Sequence, residues 1–204
     1  MYTPKHNQIE DRAALIAYMR AYSFATLTSA GPAGLTATHL PFVVEEEGGE
    51  IRLRAHMAKA NSQWRDFDAG ADVMVIFMQP HAYISPRLYD SRQNVPTWNY
   101  VAVHAYGRPL LIEDRDAKLE LQKKLIRQYD PGYLEQMAEL PERYLDGKLA
   151  AIVSFSLVAT RIDARYKLSQ DKNPAERERI ARDLEAGGDN LAAETARLMR
   201  EQNR

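Results

Sequence analysis

The chain of 204 residues contains no cysteine. That excludes a disulfide framework, a thiolate nucleophile and any zinc or iron–sulfur centre built on sulfur. Any redox chemistry must therefore come from a bound cofactor. An excess of either charge is missing too, since 27 Lys and Arg stand against 28 Asp and Glu for a formal net charge of −1. Gripping a phosphate backbone or an anionic membrane by charge alone needs a concentrated basic surface, and this balance argues against one without excluding it. No segment approaches the roughly 18 consecutive apolar residues of a membrane span, and residues 1–7 lack the charged start and apolar run of a secretory signal. The expectation is a cytoplasmic chain with no membrane association. There is no Gly-x-Ser-x-Gly elbow, no Gly-x-x-x-x-Gly-Lys phosphate loop, no repeat and no low-complexity tract, so hydrolase and nucleotide-triphosphatase readings have little support. The histidines, His6, His39, His56, His81 and His104, form no His-x-His or His-x-x-x-His pair, and no metal site is expected.

What is present is a succession of short elements. Ala14, Leu15, Tyr18, Met19 and Tyr22 recur at helical spacing behind an acidic cap at Glu10 or Asp11. Residues 24–28 and 35–44 read as strands joined by a turn at Ser29-Ala30-Gly31-Pro32-Ala33-Gly34, a hairpin. Ile51, Arg52, Leu53 and Arg54 alternate as a strand with one wet face, and the apolar run at 72–78 is short enough for a buried strand at the centre of a sheet. Alternation resumes from Trp98 through Tyr106, stops at Gly107-Arg108-Pro109 and continues over 110–112. Asp116 is the expected cap of a helix that runs to Asp130-Pro131-Gly132; a shorter helix follows around 133–140, and 149–162 reads as one long strand. Asn173-Pro174-Ala175-Glu176 supplies a capping amide, a proline at the first helical position and a glutamate at the third. Gly187-Gly188 stops that helix and Asp189 caps a last one. Six or seven strands with interspersed helices predict an α+β protein built on a small antiparallel barrel.

Three segments carry more chemistry than a fold needs. Val95-Pro96-Thr97-Trp98-Asn99-Tyr100 and Ala82-Tyr83-Ile84-Ser85-Pro86, with Tyr89, make two rigid polar-aromatic corners around a short loop. They suit the lining of a pocket for a flat, hydrogen-bonding ligand, against the plainer reading of a shielded aromatic turn. His56-Met57-Ala58-Lys59-Ala60-Asn61-Ser62-Gln63-Trp64 leaves a strand with small residues, one lysine and side-chain donors, as a phosphate requires. Its plainer reading is a helix start capped by Asn61 or Ser62, with Trp64 in the core. Lys167-Leu168-Ser169-Gln170 offers donors for an imide or a phosphate, or is an exposed loop. His104 shares a strand face with Tyr106 and reads as a satisfied, half-buried histidine.

In order along the chain, Met1-Tyr2-Thr3-Pro4-Lys5-His6, Thr38-His39-Leu40-Pro41-Phe42, His56-Met57-Ala58-Lys59-Ala60-Asn61, Tyr83-Ile84-Ser85-Pro86, Val95-Pro96-Thr97-Trp98-Asn99-Tyr100 and Lys167-Leu168-Ser169-Gln170 resemble the PaiB family of FMN-binding negative transcriptional regulators. Asn7 departs from the family pattern, which usually has phenylalanine there, and Asp171 stands where asparagine is more frequent. The resemblance implies an antiparallel split β-barrel similar to pyridoxamine-phosphate oxidase over residues 1–170, with a helical extension at 171–204. It also implies a homodimer with FMN in clefts between subunits. By the same analogy Thr38, His39 and Leu40 hold the isoalloxazine through main-chain groups, and Lys59, Ala60 and Asn61 meet the phosphate. Trp98, Asn99 and Tyr100 come from the other subunit, with Lys167 and Gln170 as further contacts. A regulator that binds DNA is implied by the family, yet no helix-turn-helix pattern or basic stripe is present, and Arg177, Arg179 and Arg182 are diluted by acidic neighbours. The alternative is an FMN-dependent oxidoreductase using reduced nicotinamide and a small substrate, with Tyr83, His39 and Tyr100 as proton donors. A third reading is another planar ligand, a deazaflavin or a haem held by His39 or His104. Catalytic residues stay unassigned.

Overall fold

The computed structural model describes residues 1–32 and 34–202; Ala33, part of the turn expected at 29–34, lies outside them. Among the described residues there are nine strands: β1 (Phe24–Gly31), β2 (Gly34–Pro41), β3 (Val43–Glu47), β4 (Glu50–Ala58), β5 (Val73–Ile84), β6 (Thr97–Gly107), β7 (Pro109–Ile112), β8 (Ile152–Val158) and β9 (Arg161–Lys167). The α-helices are α1 (Arg12–Ala21), α2 (Arg115–Tyr129), α3 (Tyr133–Ala138), α4 (Glu142–Ala150), α5 (Pro174–Ala186) and α6 (Asn190–Glu201). The strands form a five-stranded sheet in the order β2-β1-β5-β6-β9 and a four-stranded sheet in the order β3-β4-β8-β7. β5 is thus the central strand that its apolar run predicts. The chain divides into two compact units, one of Ile16–Phe77 and His104–Ile162, the other of Met1–Leu15, Met78–Val103 and the chain from Asp163 onward.

In the first unit the β1–β2 hairpin sets Thr26 opposite His39 and Gly31 opposite Gly34. Gly31 is required by a close approach: a Cβ there would lie 1.9 Å from Oδ1 of Asp66, whose carboxylate accepts from Ser29 Oγ at 2.7 Å. The unit's core is aromatic. Phe42, Phe77 and Phe155 are fully buried, with ring centroids 6.0 Å apart for Phe42–Phe77 and 6.2 Å for Phe42–Phe155, both edge-on. Phe67 meets Phe155 at 5.1 Å, in the edge geometry that the ring quadrupole favours. Each such ring contributes about 2–3 kcal/mol of apolar burial. On α2, Leu121 and Leu125 pack against Val43, with Ile112 beside them.

Several boundaries differ from the sequence reading. The strand expected at 35–44 is two strands, β2 and β3, assigned to different sheets. Pro41 brings no N–H to continue a ladder, and Phe42 turns inward with its N–H on the Ser23 carbonyl at 2.9 Å. The cap of α2 is Asp114, whose carboxylate accepts from Ala117 N at 2.8 Å, while Asp116 sits in the first turn. The strand expected over 149–162 is the end of α4, then β8, a break, and the start of β9. At the break, Ala159 N donates to Ile51 O at 2.8 Å and Thr160 N to Tyr106 O at 2.9 Å, bonds that no local pattern announces.

The second unit holds the helical tail. Asn173 and Glu176 form a reciprocal capping box, Asn173 Oδ1 accepting from Glu176 N at 2.9 Å and Glu176 Oε2 from Asn173 N at 3.3 Å. The other carboxylate oxygen of Glu176 accepts from Asp90 N at 2.8 Å, tying α5 to the loop after β5. Ile180, Ala181, Leu184, Ala196 and Met199 close the interface of α5 and α6.

Candidate functional site

In the first unit, β2 is an outermost strand, so its outer edge carries main-chain N–H and C=O groups that no strand among the described residues pairs. Thr38, His39 and Leu40 lie on it. Leu40 is buried and offers a ligand only its main chain. His39 is exposed; its Nδ1 meets Thr26 Oγ1 at 2.9 Å, and its ring tilts over Phe24 at 6.5 Å. The hairpin register makes this pair. β4 then delivers Lys59, Ala60 and Asn61 to the head of a 3-10 helix, Ser62–Ala69. Asn61 is the cap: its Oδ1 accepts from Gln63 N at 3.0 Å, and its Nδ2 donates to Thr38 Oγ1 at 2.9 Å. That second bond links the two segments of the expected site. Lys59 is exposed, and its ammonium has no carboxylate partner among the described residues. Trp64, expected in the core, is half-buried instead; its Nε1 donates to Lys59 O at 3.2 Å, and Arg65 lies 4.7 Å over its ring. Beneath the loop, fully buried Gln63 donates to Leu27 O, Ser29 Oγ and Thr36 O at 3.0–3.2 Å. The loop is therefore built to be rigid.

In the second unit, strand alternation separates the candidates on β6. Trp98 and Tyr100 face outward, Trp98 at 51 % exposure, and with Met78 and His81 they line a recess of about 350 Å³ that is almost wholly apolar. His81 and Tyr83 meet the Trp98 ring edge-on at 5.7 and 6.0 Å, and the Arg165 guanidinium stands 5.4 Å over Tyr100. Asn99 points the other way and is fully buried, its Nδ2 donating to Ser169 Oγ at 2.9 Å and reaching Met199 Sδ at 3.4 Å. Lys167 lies on that second side, its Nζ hydrogen-bonded to Thr97 Oγ1. Burial, and then the charge of Arg165, hold the Lys167 ammonium below the usual lysine range. Gln170 spends its amide within the chain: Oε1 accepts from Leu168 N at 2.8 Å, while Nε2 donates to Tyr166 O and to Gln202 Oε1. The structure thus joins Thr38 to Asn61 and Trp98 to Tyr100, and places Asn99, Lys167 and Gln170 in a separate polar layer.

Thr26, Met78, His81 and Arg165 complete these groups and were not among the expected site residues. Thr26 was readable from the hairpin. Register across the Ser29–Gly34 turn pairs it with His39. The contacts of Met78 and His81 with Trp98 depend on chain folding that no local pattern encodes.

Two antiparallel sheets with flanking helices define an α+β split barrel. Solved structures share the fold: the flavocytochrome Anf3 from Azotobacter vinelandii superposes with a TM-score of 0.63 at 18 % identity, covering 78 % of this chain and 68 % of that one. The FAD and heme binding protein from Mycobacterium smegmatis does so with a TM-score of 0.60 at 19 % identity, covering 89 % and 80 %. The chain belongs to the family described as "Putative FMN-binding domain", whose model matches residues 1–161. Its relatives include the "Protease synthase and sporulation protein PAI 2" of Bacillus subtilis, 35 % identical over 98 % of this chain and 96 % of that protein. Among the described residues no helix is long and apolar enough to cross a membrane.

Proposed function

We propose that the chain binds FMN as a homodimer, with Thr38, His39, Leu40, Lys59, Ala60 and Asn61 of one subunit facing Trp98 and Tyr100 of its partner, and that the complex serves a PaiB-like regulatory role. The observation that carries the reading is the outward pair Trp98 and Tyr100 with its apolar recess of about 350 Å³. A half-exposed tryptophan over an apolar hollow suits a planar aromatic ligand, and ligand sites pair such walls with a few polar groups that fix orientation. The donor set fits the rest of the molecule. Lys59 offers an uncommitted point charge to a phosphate, and the open edge of β2 offers alternating N–H and C=O groups to the polar rim of the ring. FMN, when bound, supplies hydride and single-electron transfer. The chain's own residues orient it and exclude water from its apolar face. Asn61 positions Thr38, and Asn99, Lys167 and Gln170 support the fold behind the aromatic wall.

A second reading, an FMN-dependent oxidoreductase drawing on reduced nicotinamide, is favoured by His81 and Tyr83 at the edge of Trp98, where either could carry a proton. Direct DNA binding has less support, because the tail's arginines are committed: Arg179 pairs with Asp90, Arg182 with Glu178, Arg197 with Glu194 and Glu201, and Arg200 with Glu178 and Glu185. The test is a fluorescence titration of FMN into the purified chain, followed by anaerobic NADPH. Saturable quenching with one FMN per subunit supports the binding reading, and no uptake refutes it. Bleaching of bound flavin by NADPH would move the oxidoreductase reading ahead of the regulatory one.

A further inference from the structure

On the side of β6 turned away from Trp98 lies a second, smaller recess of about 160 Å³, lined chiefly by Thr97, Asn99, Lys167, Ser169, Asp171 and Lys172. Lys167 is half-buried there, and its one recorded contact is the Thr97 hydroxyl. No carboxylate lies within ion-pair distance of it among the described residues. Lys172 is different: Asp171 neutralises it at 3.0 Å, and its ammonium sits 4.7 Å over the Tyr89 ring. The net charge facing the recess is therefore that of Lys167. Burial and the charge of Arg165 disfavour its charged form more than the nearby Asp171 carboxylate favours it.

The floor of the recess is held in an uncommon conformation. Ser169 is the one non-glycine residue with positive φ among the described residues, at 60°, a left-handed region that costs a side chain about 1 kcal/mol or more. A mutual pair of bonds keeps it there, Asn99 Nδ2 donating to Ser169 Oγ at 2.9 Å and Ser169 Oγ approaching Asn99 Oδ1 at 3.1 Å. Local strain held by a fully buried amide, beneath Lys167 and a Thr97 hydroxyl whose oxygen accepts from that lysine, is how a protein fixes the positions of donors for an anion.

We infer that this recess binds a small oxyanion, a phosphate or a short carboxylate, through Lys167 and Thr97, over the floor that Asn99 and Ser169 hold, separately from the proposed flavin site. The volume admits a group of that size and not a nucleotide. Asn99, on the floor of the recess, also reaches Met199 of α6. The inference stands apart from the FMN reading, since it uses the opposite side of β6 and none of Lys59, Trp98 or Tyr100.

Isothermal titration of inorganic phosphate into the chain at low ionic strength, and separately of acetate, tests it. The expected result is saturable binding of one anion per subunit that persists with FMN saturating, weakened about tenfold or more in Lys167→Met and severalfold in Thr97→Val. Phosphate binding retained with acetate silent assigns the site to phosphate-type ligands, and the reverse assigns it to carboxylates. Thr97→Val keeps the test decisive should Lys167→Met not fold. Absence of saturable heat for both anions overturns the inference, as does binding that Lys59→Ala abolishes and Lys167→Met spares. Displacement of bound phosphate by saturating FMN would show one site, not two, and also overturn it.

Discussion

Asn61 ties the fold of the phosphate-type loop to the strand beside it, so its replacement separates structural from ligand effects. Asn61→Ala removes the cap of the Ser62–Ala69 helix, a loss of about 1 kcal/mol, and the bond to Thr38 Oγ1, about 1 kcal/mol more before solvent compensates for a half-exposed group. The expected cost is about 1–2 kcal/mol, which moves a urea midpoint by roughly 0.5–1 M at an m-value of about 2 kcal/mol/M. Asn61→Asp keeps an acceptor for Gln63 N and loses only the donor to Thr38, so its cost is about half as large. It also places a carboxylate two residues from Lys59. FMN affinity in Asn61→Asp should therefore fall by about tenfold or more although the fold is nearly intact, whereas Asn61→Ala loses stability first. Urea unfolding followed by circular dichroism, run beside FMN titration, reads both. Equal destabilisation by the two substitutions would refute the cap assignment, and unchanged FMN affinity in Asn61→Asp would remove this loop from the site.

Burial holds the His56 imidazolium below the usual histidine range, with Gln122 Nε2 at 3.2 Å from its Nδ1. The unfolded chain then takes up a proton first, so the stability present above about pH 6.5 is lost as pH falls below it. His56→Gln should flatten the dependence of the urea midpoint between about pH 7.5 and about 5.5, and an unchanged slope would count against this reading. Gly107→Ala would bring a Cβ to 2.1 Å from the carbonyl oxygen of Val158, a backbone atom with little freedom to yield, and should cost about 2 kcal/mol or more by thermal unfolding. Gly31→Ala collides with a side chain instead, so Asp66→Ala in the same chain should recover part of its loss; strict additivity would disprove the coupling. Trp98→Ala should leave stability within about 1 kcal/mol, since the ring is half exposed, while lowering FMN affinity severalfold to about tenfold.

How much could be read from the sequence depended on how local the governing interaction was. The start of α5 was legible to the residue because a capping box is written in four consecutive positions, and the box forms as read. Helix α4 was missed because the apolar run after Leu149 dominated the pattern, while the start of the helix after Pro141 carries no side-chain cap bond to announce it. The break between β8 and β9 is enforced by Ile51 and Tyr106, about a hundred and about fifty residues upstream, and leaves no local trace. At the site, strand alternation alone separates Asn99 from Trp98 and Tyr100, since neighbours on a strand face opposite sides. The motif Val95-Pro96-Thr97-Trp98-Asn99-Tyr100, read as one pocket lining, hid that division. The commitment of Gln170 to Gln202 was out of reach because it joins a strand end to the far end of the last helix.

The central claim is that each flavin site is shared between subunits, and mixing two defective variants tests it. On this reading Lys59→Ala and Trp98→Ala should each lower FMN binding, but a mixed dimer would carry one site with both changes and one with neither. After random exchange of subunits, about a quarter of the sites should recover the affinity of the unaltered protein in an FMN fluorescence titration. A mixture that binds no more FMN than its two components measured apart, while light scattering shows that subunits have exchanged, would contradict the account.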